Sequence, residues 1–251
     1  MNKQIEICCG SYYDALQSYK GGAKRIELNS SLHLGGLTPS LASLIMTKQN
    51  TKLKVICMVR PRGGGFVYNK EDVEVMFEDA KILMENGADG LAFGFLKEDA
   101  TLDRDLTKAM VDLIHKYKGE AVFHRAFDCV TKADETIEAL IEIGVDRILT
   151  SGLQAKAWDG REMLAHLQEK YGDKIEILAG SGVNDTNATI LMKETGISQV
   201  HSSCKDWVND PTTTTGNVTY AYASAPNENN YDVVSSSKVA DLVGSILNEG
   251  K

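Results

Sequence analysis

Apolar positions along this chain follow two patterns: short apolar runs, and longer stretches in which apolar residues recur every three or four positions. The first pattern is typical of buried strands and the second of amphipathic helices. Four helical stretches end at a glycine and are followed within a few residues by an apolar run; these glycines are Gly22, Gly87, Gly144 and Gly196. Successive glycines lie too far apart for one strand–helix unit of about 30 residues, and the spacing fits two units.

Further apolar runs supply the other strands, at residues 4–9, 53–60, 120–126 and 174–179. Helical spacing covers the segments between strands, including residues 11–20, 70–86, 102–117, 133–143, 160–171 and 185–195, and a final segment at 235–247. Strands that alternate with helices eight times predict a single (β/α)8 TIM barrel over residues 1–251, with parallel strands. A doubly wound open sheet is the alternative.

One segment departs from this alternation. Residues 206–231 run through a threonine cluster at 212–215 and an asparagine-rich stretch at 227–230. The pattern predicts a long loop after the eighth strand, where barrel enzymes carry binding loops. A mobile surface excursion or an oligomer contact is the alternative interpretation.

Charged residues interrupt several of the predicted strands. They are Glu6 in the first strand, Arg25 and Glu27 in the second, Arg60 in the third, and His124 with Arg125 in the fifth. Because branched apolar side chains normally fill a barrel interior, ionised groups there predict a functional site. The alternative is a buried ion-pair plug that only fills the barrel, formed by Glu6, Arg25, Glu27, Arg60 and Arg147.

The alternation of side chains along a strand indicates which of these residues share the interior. An inward Glu6 brings Cys8 inward, and an inward Glu27 brings Arg25 and Asn29. The same parity places Met58 with Arg60, and Gln199 with His201, on the inside, whereas the parity of His124 is ambiguous. Because the strand ends converge, we expect one cavity at the carboxyl end of the barrel that contains Glu6, Glu27, Arg60, His124 and His201.

Two loops have the composition of an anion site. Small residues Gly180, Ser181 and Gly182 follow the seventh strand, where backbone N–H groups and a helix start can hold phosphate. Ser151, after the sixth strand, adds a hydroxyl donor. In the third-strand loop, Arg60 and Arg62 precede three glycines and suit the capture of a carboxylate or phosphate.

Composition narrows the classes of partner. The net charge of −8 and the pI near 5.2 argue against a nucleic-acid-binding surface, since phosphate backbones attract clusters of Lys and Arg. An apolar run as long as a membrane span is absent from the sequence, and a strand begins at once, so we expect a cytoplasmic protein. The five cysteines are an odd, scattered set, which predicts reduced thiols.

Ordered motifs over almost the whole chain resemble the CutC family, named for copper homeostasis. They are Glu6-Ile7-Cys8, Arg25-Ile26-Glu27-Leu28, Arg60-Pro61-Arg62-Gly63-Gly64, Phe123-His124-Arg125-Ala126-Phe127-Asp128, Arg147-Ile148-Leu149-Thr150-Ser151-Gly152 and His201-Ser202-Ser203. The resemblance implies a TIM barrel, a cytoplasmic location, a homo-oligomer and a link to copper tolerance and Cu(I) binding. It also implies Cys8 as the metal ligand. Some members pair that cysteine with a second one where this chain has Asn29, which predicts weak Cu(I) binding here because Cu(I) prefers soft sulfur.

Two classes of function follow. The first is a copper-handling protein that uses Cys8, with Met58 or His201 as a further ligand. The second is an enzyme that acts on a small anionic molecule. Its candidate catalytic residues are Glu6, Arg25, Glu27, Arg60, His124, Arg125, Asp128 and His201, and its candidate ligand-binding residues are Arg62, Ser151, Gly180, Ser181, Gly182 and Ser202. A third possibility is a hard divalent ion held by Glu6, Glu27 and His124.

Overall fold

A closed barrel of eight parallel strands forms the centre of the molecule, in a computed structural model that describes residues 3–247. The barrel strands are β1 (Gln4–Cys9), β2 (Arg25–Leu28), β3 (Lys54–Met58), β4 (Gly90–Phe93), β5 (Glu120–Phe123), β6 (Arg147–Thr150), β7 (Glu176–Ala179) and β8 (Gln199–Ser202). Strands pair in chain order, and β1 pairs with β8 to close the ring. The TIM-barrel prediction is confirmed, and the open-sheet alternative is wrong because an open sheet has no such closing pair.

Helices cover the outside of the barrel. They are α1 (Tyr12–Lys20), α2 (Leu41–Asn50), α3 (Lys70–Glu85), α4 (Arg104–Lys116), α5 (Ala133–Ile143), α6 (Arg161–Tyr171), α7 (Ala188–Thr195) and α8 (Ser236–Leu247). The sequence pattern did not identify α2, whose polar and apolar residues are weakly segregated and which buries only Leu44 and Thr47. No helix within residues 3–247 is long and apolar enough to cross a membrane.

Local chemistry fixes where the helices begin and end. The side chains of Ser11, Asn69 and Asp103 each accept a hydrogen bond from a backbone N–H in the first turn of α1, α3 and α4. Gly144 and Gly196 end α5 and α7 in the left-handed conformation, with φ of 95° and 74°. These are the start and stop signals from which the sequence predicted the strand–helix alternation.

The apolar core lies mainly between strands and helices, not inside the barrel. A large cluster of buried side chains joins the outward faces of the strands to the helices. Inside the barrel, a separate small cluster contains only Ile56, Met58, Ala92 and Val122. By contrast, the inward-facing side chains of β1, β2 and β8 are polar or charged.

An ion-pair network fills the amino-terminal end of the barrel. Arg147 is 1% exposed; its Nε lies 2.9 Å from the Glu176 carboxylate and its Nη2 lies 2.6 Å from that of Glu120. Its Nη1 lies 3.7 Å from Glu6, and Lys54 adds a further ion pair to Glu120. Arg147 therefore belongs to a buried ion-pair network, as the plug alternative expected, and is the partner of three carboxylates.

Residues 206–231, described above as a long loop, form an antiparallel excursion. It contains β9 (Lys205–Asn209), the hairpin strands β10 (Thr214–Thr215) and β11 (Val218–Thr219), and β12 (Asn230–Val234), which pairs with β9. The loop prediction rested in part on the threonine cluster, but threonine has a β-branched side chain, which favours strands. Asp14 of α1 ties the excursion to the barrel by accepting a 2.8 Å hydrogen bond from the Val234 N–H.

Replacing Arg147 by Met should lower the free energy of unfolding by about 3 kcal/mol, because Glu6, Glu120 and Glu176 would then face one another without their shared cation. The matched control is Arg104→Met, which breaks the exposed Arg104–Glu142 pair and should cost less than about 1 kcal/mol. Urea unfolding measures both. An Arg147→Met protein as stable as the control would contradict a structural role for the network.

Candidate metal and ligand site at the barrel mouth

Glu6 lies at the centre of the barrel interior and joins three other charged side chains. Its Oε2 lies 2.7 Å from Arg25 Nε and its Oε1 lies 2.9 Å from His201 Nδ1. Register explains these contacts, since Glu6 pairs with Arg25 on β2 and with His201 on β8. Burial alone would raise the pKa of Glu6, but the charges of Arg25 and Arg147 and the His201 hydrogen bond lower it to about 2.

Three potential metal ligands converge one layer further toward the carboxyl end. The Cys8 sulfur lies 3.9 Å from Glu27 Oε2, and His201 Nε2 lies 3.9 Å from the same oxygen. One donor atom each from Cys8, Glu27 and His201 lie within 4.8 Å of one another. The strand register produces this arrangement, because Cys8 on β1 is paired with Glu27 on β2.

The tautomer of His201 suits metal binding. Because Nδ1 faces the ionised Glu6 carboxylate, a neutral ring carries its proton on Nδ1 and turns the Nε2 lone pair toward Glu27 and Cys8. A carboxylate that orients an imidazole in this way is the usual outer partner of a metal-binding histidine. Burial lowers the pKa of His201, but the hydrogen bond to Glu6 and the charge of Glu27 outweigh burial and raise it.

The acidic groups of this cluster hold their protons more firmly than they would in water. Burial raises the pKa of the Cys8 thiol well above its ordinary value, and the charge of Glu27 adds to the effect. Burial and the charge of Glu6 also raise the pKa of Glu27, against the opposing charge of His201. A metal ion entering the cluster must therefore displace protons.

Asn29 lies in this part of the interior, as strand parity predicted. Its Nδ2 donates a 3.0 Å hydrogen bond to Glu27 Oε2 and lies 3.7 Å from the Cys8 sulfur. Gly36 packs so closely that a Cβ there would meet Asn29 Oδ1 at 2.4 Å. A side chain at position 29 therefore sits directly beside the thiol.

Arg60 lies at the mouth but outside the Glu6 network. It is 5% exposed, and its Nη1 donates to the carbonyls of Leu34 at 2.9 Å and Gly36 at 3.0 Å. Its Nη2 donates to the Gly64 carbonyl. Arg60 thus fastens the loop after β2 to the loop after β3, so the expectation that it belongs to a plug of ion pairs is wrong.

His124 follows β5 and faces inward, in line with Val122. Its Nδ1 accepts a 3.1 Å hydrogen bond from the Ala126 N–H, and its ring centroid lies 5.0 Å from that of Phe66. Burial and the charge of Arg60 lower its pKa to about 3. Direct contacts join Glu6, Glu27 and His201, whereas His124 and Arg60 share Phe66 as a neighbour. The third possibility, a hard divalent ion held by Glu6, Glu27 and His124, is not supported, because Arg25 forms an ion pair with the Glu6 carboxylate.

Arg125, Asp128 and Ser151 cross-link two loops of the mouth. Asp128 accepts hydrogen bonds from the Ser151 N–H and hydroxyl and from the Leu153 N–H, and lies 2.7 Å from Arg125 Nε. Arg125 Nη2 donates to the Ser151 hydroxyl at 2.8 Å. Each of these predicted site residues is thus engaged with another part of the protein, and holds the loop after β6 in place.

The other predicted anion-binding residues also have internal partners. Arg62 Nε lies 2.8 Å from the Asp72 carboxylate. The Ser181 hydroxyl donates to the Ala155 carbonyl, and the Gly180 N–H donates to the Thr150 carbonyl as part of the sheet. The Asn187 side chain donates to the Gly182 carbonyl. Ser202 points to the outer face of β8 and donates to the Val183 carbonyl at 2.6 Å.

A mixed thiol, carboxylate and imidazole cluster at the mouth of a closed barrel defines the class: a TIM barrel with a candidate metal site. The family model described as the CutC family matches residues 3–206, so the chain belongs to the CutC family. A CutC family protein from Treponema denticola is 41% identical over 246 residues, which cover 98% of this chain and 99% of that protein. The human copper homeostasis protein cutC homolog is 36% identical over 201 residues, 80% of this chain and 73% of that protein.

A solved structure agrees with this membership. A CutC protein from Streptococcus agalactiae has a TM-score of 0.75 and 30% sequence identity, and the match covers 80% of this chain and 98% of that chain. The family model ends at residue 206, where β9 begins the excursion. The predicted resemblance to the CutC family is therefore confirmed.

Replacing Glu6 by Gln should lower the pKa of His201 by about one unit or more, because the imidazolium loses its carboxylate partner and keeps Arg25 nearby. NMR titration of the His201 ring measures the change, with the exposed His115 and His166 as internal references in the same spectra. Glu27→Gln should act in the same direction and serves if Glu6→Gln does not fold. An unchanged His201 pKa in both variants would contradict the assignment of these partners.

Proposed function

We propose that this protein binds copper in the barrel mouth through Cys8, Glu27 and His201, and that this binding serves copper homeostasis. The observation that carries the proposal is the convergence of one donor atom from each residue within 4.8 Å. Copper is the cargo of such a protein, and the names of the human and mouse relatives contain copper homeostasis.

The donor set fits a copper ion with one soft ligand. Sulfur and imidazole nitrogen are both ligands that copper accepts, whereas carboxylate oxygen is a harder third ligand. The Glu6–His201 hydrogen bond fixes the ring so that Nε2 faces the site. Because Asn29 stands beside Cys8 in place of a second thiol, Cu(I) would gain one strong sulfur bond instead of two.

The buried environment also controls how tightly the site binds a metal ion. The Cys8 thiol and its neighbours hold protons that compete with the ion, so the site binds metal more tightly as pH rises. Loops fastened by Arg60 lie near the cluster, since Gly36 contacts both Arg60 and Asn29.

We also infer that the protein works in the cytoplasm and as a homo-oligomer. All five cysteines are free thiols, which suits a reducing compartment. Large apolar side chains are exposed on the excursion, including Val218 at 60% and Tyr220 at 83%, and such side chains are common in subunit contacts.

Cu(I) should bind the wild-type protein weakly, and Cys8→Ser should reduce the affinity by about tenfold because it removes the single sulfur ligand. Asn29→Cys places a second thiol next to Cys8 and should increase the affinity by roughly tenfold or more. Anaerobic competition with a colorimetric Cu(I) chelator measures both changes.

The control is Cys129→Ser, which removes an exposed thiol away from the cluster and should leave the affinity unchanged. Two outcomes would contradict the proposed site. One is Cu(I) binding that is lost in Cys129→Ser and kept in Cys8→Ser, and the other is an Asn29→Cys protein that binds no better than wild type.

A further inference from the structure

Arg60 differs from every other arginine in residues 3–247. Each of the others has a carboxylate partner, in the pairs Arg25–Glu6, Arg62–Asp72, Arg104–Glu142, Arg125–Asp128, Arg147–Glu120 and Arg161–Glu194. Within the same described residues, Arg60 has only neutral partners, which are three backbone carbonyls, the Tyr68 hydroxyl and the Phe66 ring, yet it is 5% exposed. A buried cation without a counter-charge is costly, and an anion bound beside it would remove that cost.

The Arg60 guanidinium also keeps hydrogen-bonding capacity. Its Nε–H is buried and makes no well-formed hydrogen bond to a described residue. The Tyr68 hydroxyl lies beside the guanidinium and is likewise buried. Because a hydroxyl can accept a hydrogen bond from Arg60 and still donate its own proton, this pair offers at least one free donor in either arrangement.

His124 supplies a second free donor. The Ala126 N–H donates to Nδ1, so the proton of the neutral ring resides on Nε2. Nε2 is buried and has no hydrogen-bond partner among residues 3–247, and His124 as a whole is only 3% exposed. The low pKa of about 3, caused by burial and Arg60, keeps the ring neutral and its tautomer fixed at physiological pH.

The two donors are neighbours. The Arg60 Cζ lies 5.3 Å and the His124 ring centroid 5.0 Å from the ring centroid of Phe66. Phe66 is half-buried and follows the glycine loop that Arg60 holds through the Gly64 carbonyl. Phe66 therefore contacts both side chains, and the charge of Arg60 acts on the His124 ring.

We propose that Arg60 and His124 form a binding site for a small oxyanion, a carboxylate or phosphate, whose oxygens accept hydrogen bonds from both side chains beneath Phe66. The guanidinium supplies the charge, and the neutral imidazole supplies a directed N–H donor. This site is separate from the Cys8, Glu27 and His201 cluster. It keeps Arg60 from the anion site predicted from sequence, and it uses His124 instead of Arg62 and Ser181, which have internal partners.

A single ordered water could satisfy one or two of these donors, but it would leave the Arg60 charge without compensation. An anion satisfies the donors and the charge together. We therefore expect inorganic phosphate or acetate to bind. The probe that binds with the higher affinity shows whether the site prefers a tetrahedral or a planar oxyanion.

Calorimetric titration of the full-length protein with inorganic phosphate, and separately with acetate, tests the proposal. At least one probe should bind at millimolar concentration, and His124→Leu should weaken its binding by at least tenfold while leaving Cu(I) affinity unchanged. Arg60→Met should abolish the binding. The matched control is Arg62→Met, which removes another arginine of the same loop, one that is paired with Asp72. This variant should bind the probe as tightly as the wild-type protein does.

A second readout does not depend on the variants. In protein with 15N-labelled histidine, the His124 Nε2 resonance should shift as the bound probe accepts its hydrogen bond. The proposal is overturned if neither probe binds wild type, or if His124→Leu binds as tightly as wild type. It is also overturned if the probe binds without moving the His124 resonance, since the anion would then lie elsewhere.

Discussion

The ionised Glu6 carboxylate is the interaction on which the rest of the interior depends. It is 1% exposed and touches Arg25, His201 and, at 3.7 Å, Arg147. Through Arg147 it belongs to the ion pairs at the amino-terminal end of the barrel, and through His201 it contacts the candidate metal cluster of Cys8, Glu27 and His201. One buried charge therefore links the ion-pair network to the candidate site.

This arrangement explains why a charged interior is compatible with a stable fold. The apolar core between strands and helices is extensive, so the barrel does not rely on an apolar interior. Inside, the cations Arg25 and Arg147 compensate the Glu6 charge, which leaves Glu27 as the carboxylate with a raised pKa. The neighbouring Cys8 thiol also has a raised pKa, so a metal ion that binds this cluster would replace the thiol proton.

The sequence predicted the barrel well because its glycine stops and apolar runs are local signals that the structure preserves. Strand parity also correctly predicted that Glu6, Cys8, Glu27 and His201 share the interior, since strand pairing in a closed barrel leaves little freedom. Strand parity does not show which groups an inward-facing side chain contacts. In the plug alternative Arg60 would meet carboxylates, yet it binds carbonyls of loops whose conformations depend on Gly36 and Gly64, and no periodic pattern encodes loop geometry.

Two other features lay outside the reach of sequence reasoning for related reasons. The predicted anion residues Ser181 and Ser202 donate to backbone carbonyls, as short polar side chains at strand ends commonly do, and Arg62 pairs with the Asp72 carboxylate. The unpaired state of Arg60 and the tautomer of His124 emerge only when each neighbour is known. Asn29 was placed correctly, but its contact with the Cys8 sulfur required the register of β1 and β2.

The most direct test of this account is the pH dependence of Cu(I) affinity, measured by chelator competition with the proton binding of the chelator taken into account. The pKa of the Cys8 thiol is raised well above 9.0, so the thiol must lose its proton for each ion bound. Affinity should rise roughly tenfold per pH unit between about pH 6 and pH 8, more steeply where His201 also loses a proton, and the dependence should weaken in Cys8→Ser. An affinity that does not change with pH in the wild-type protein would contradict the account.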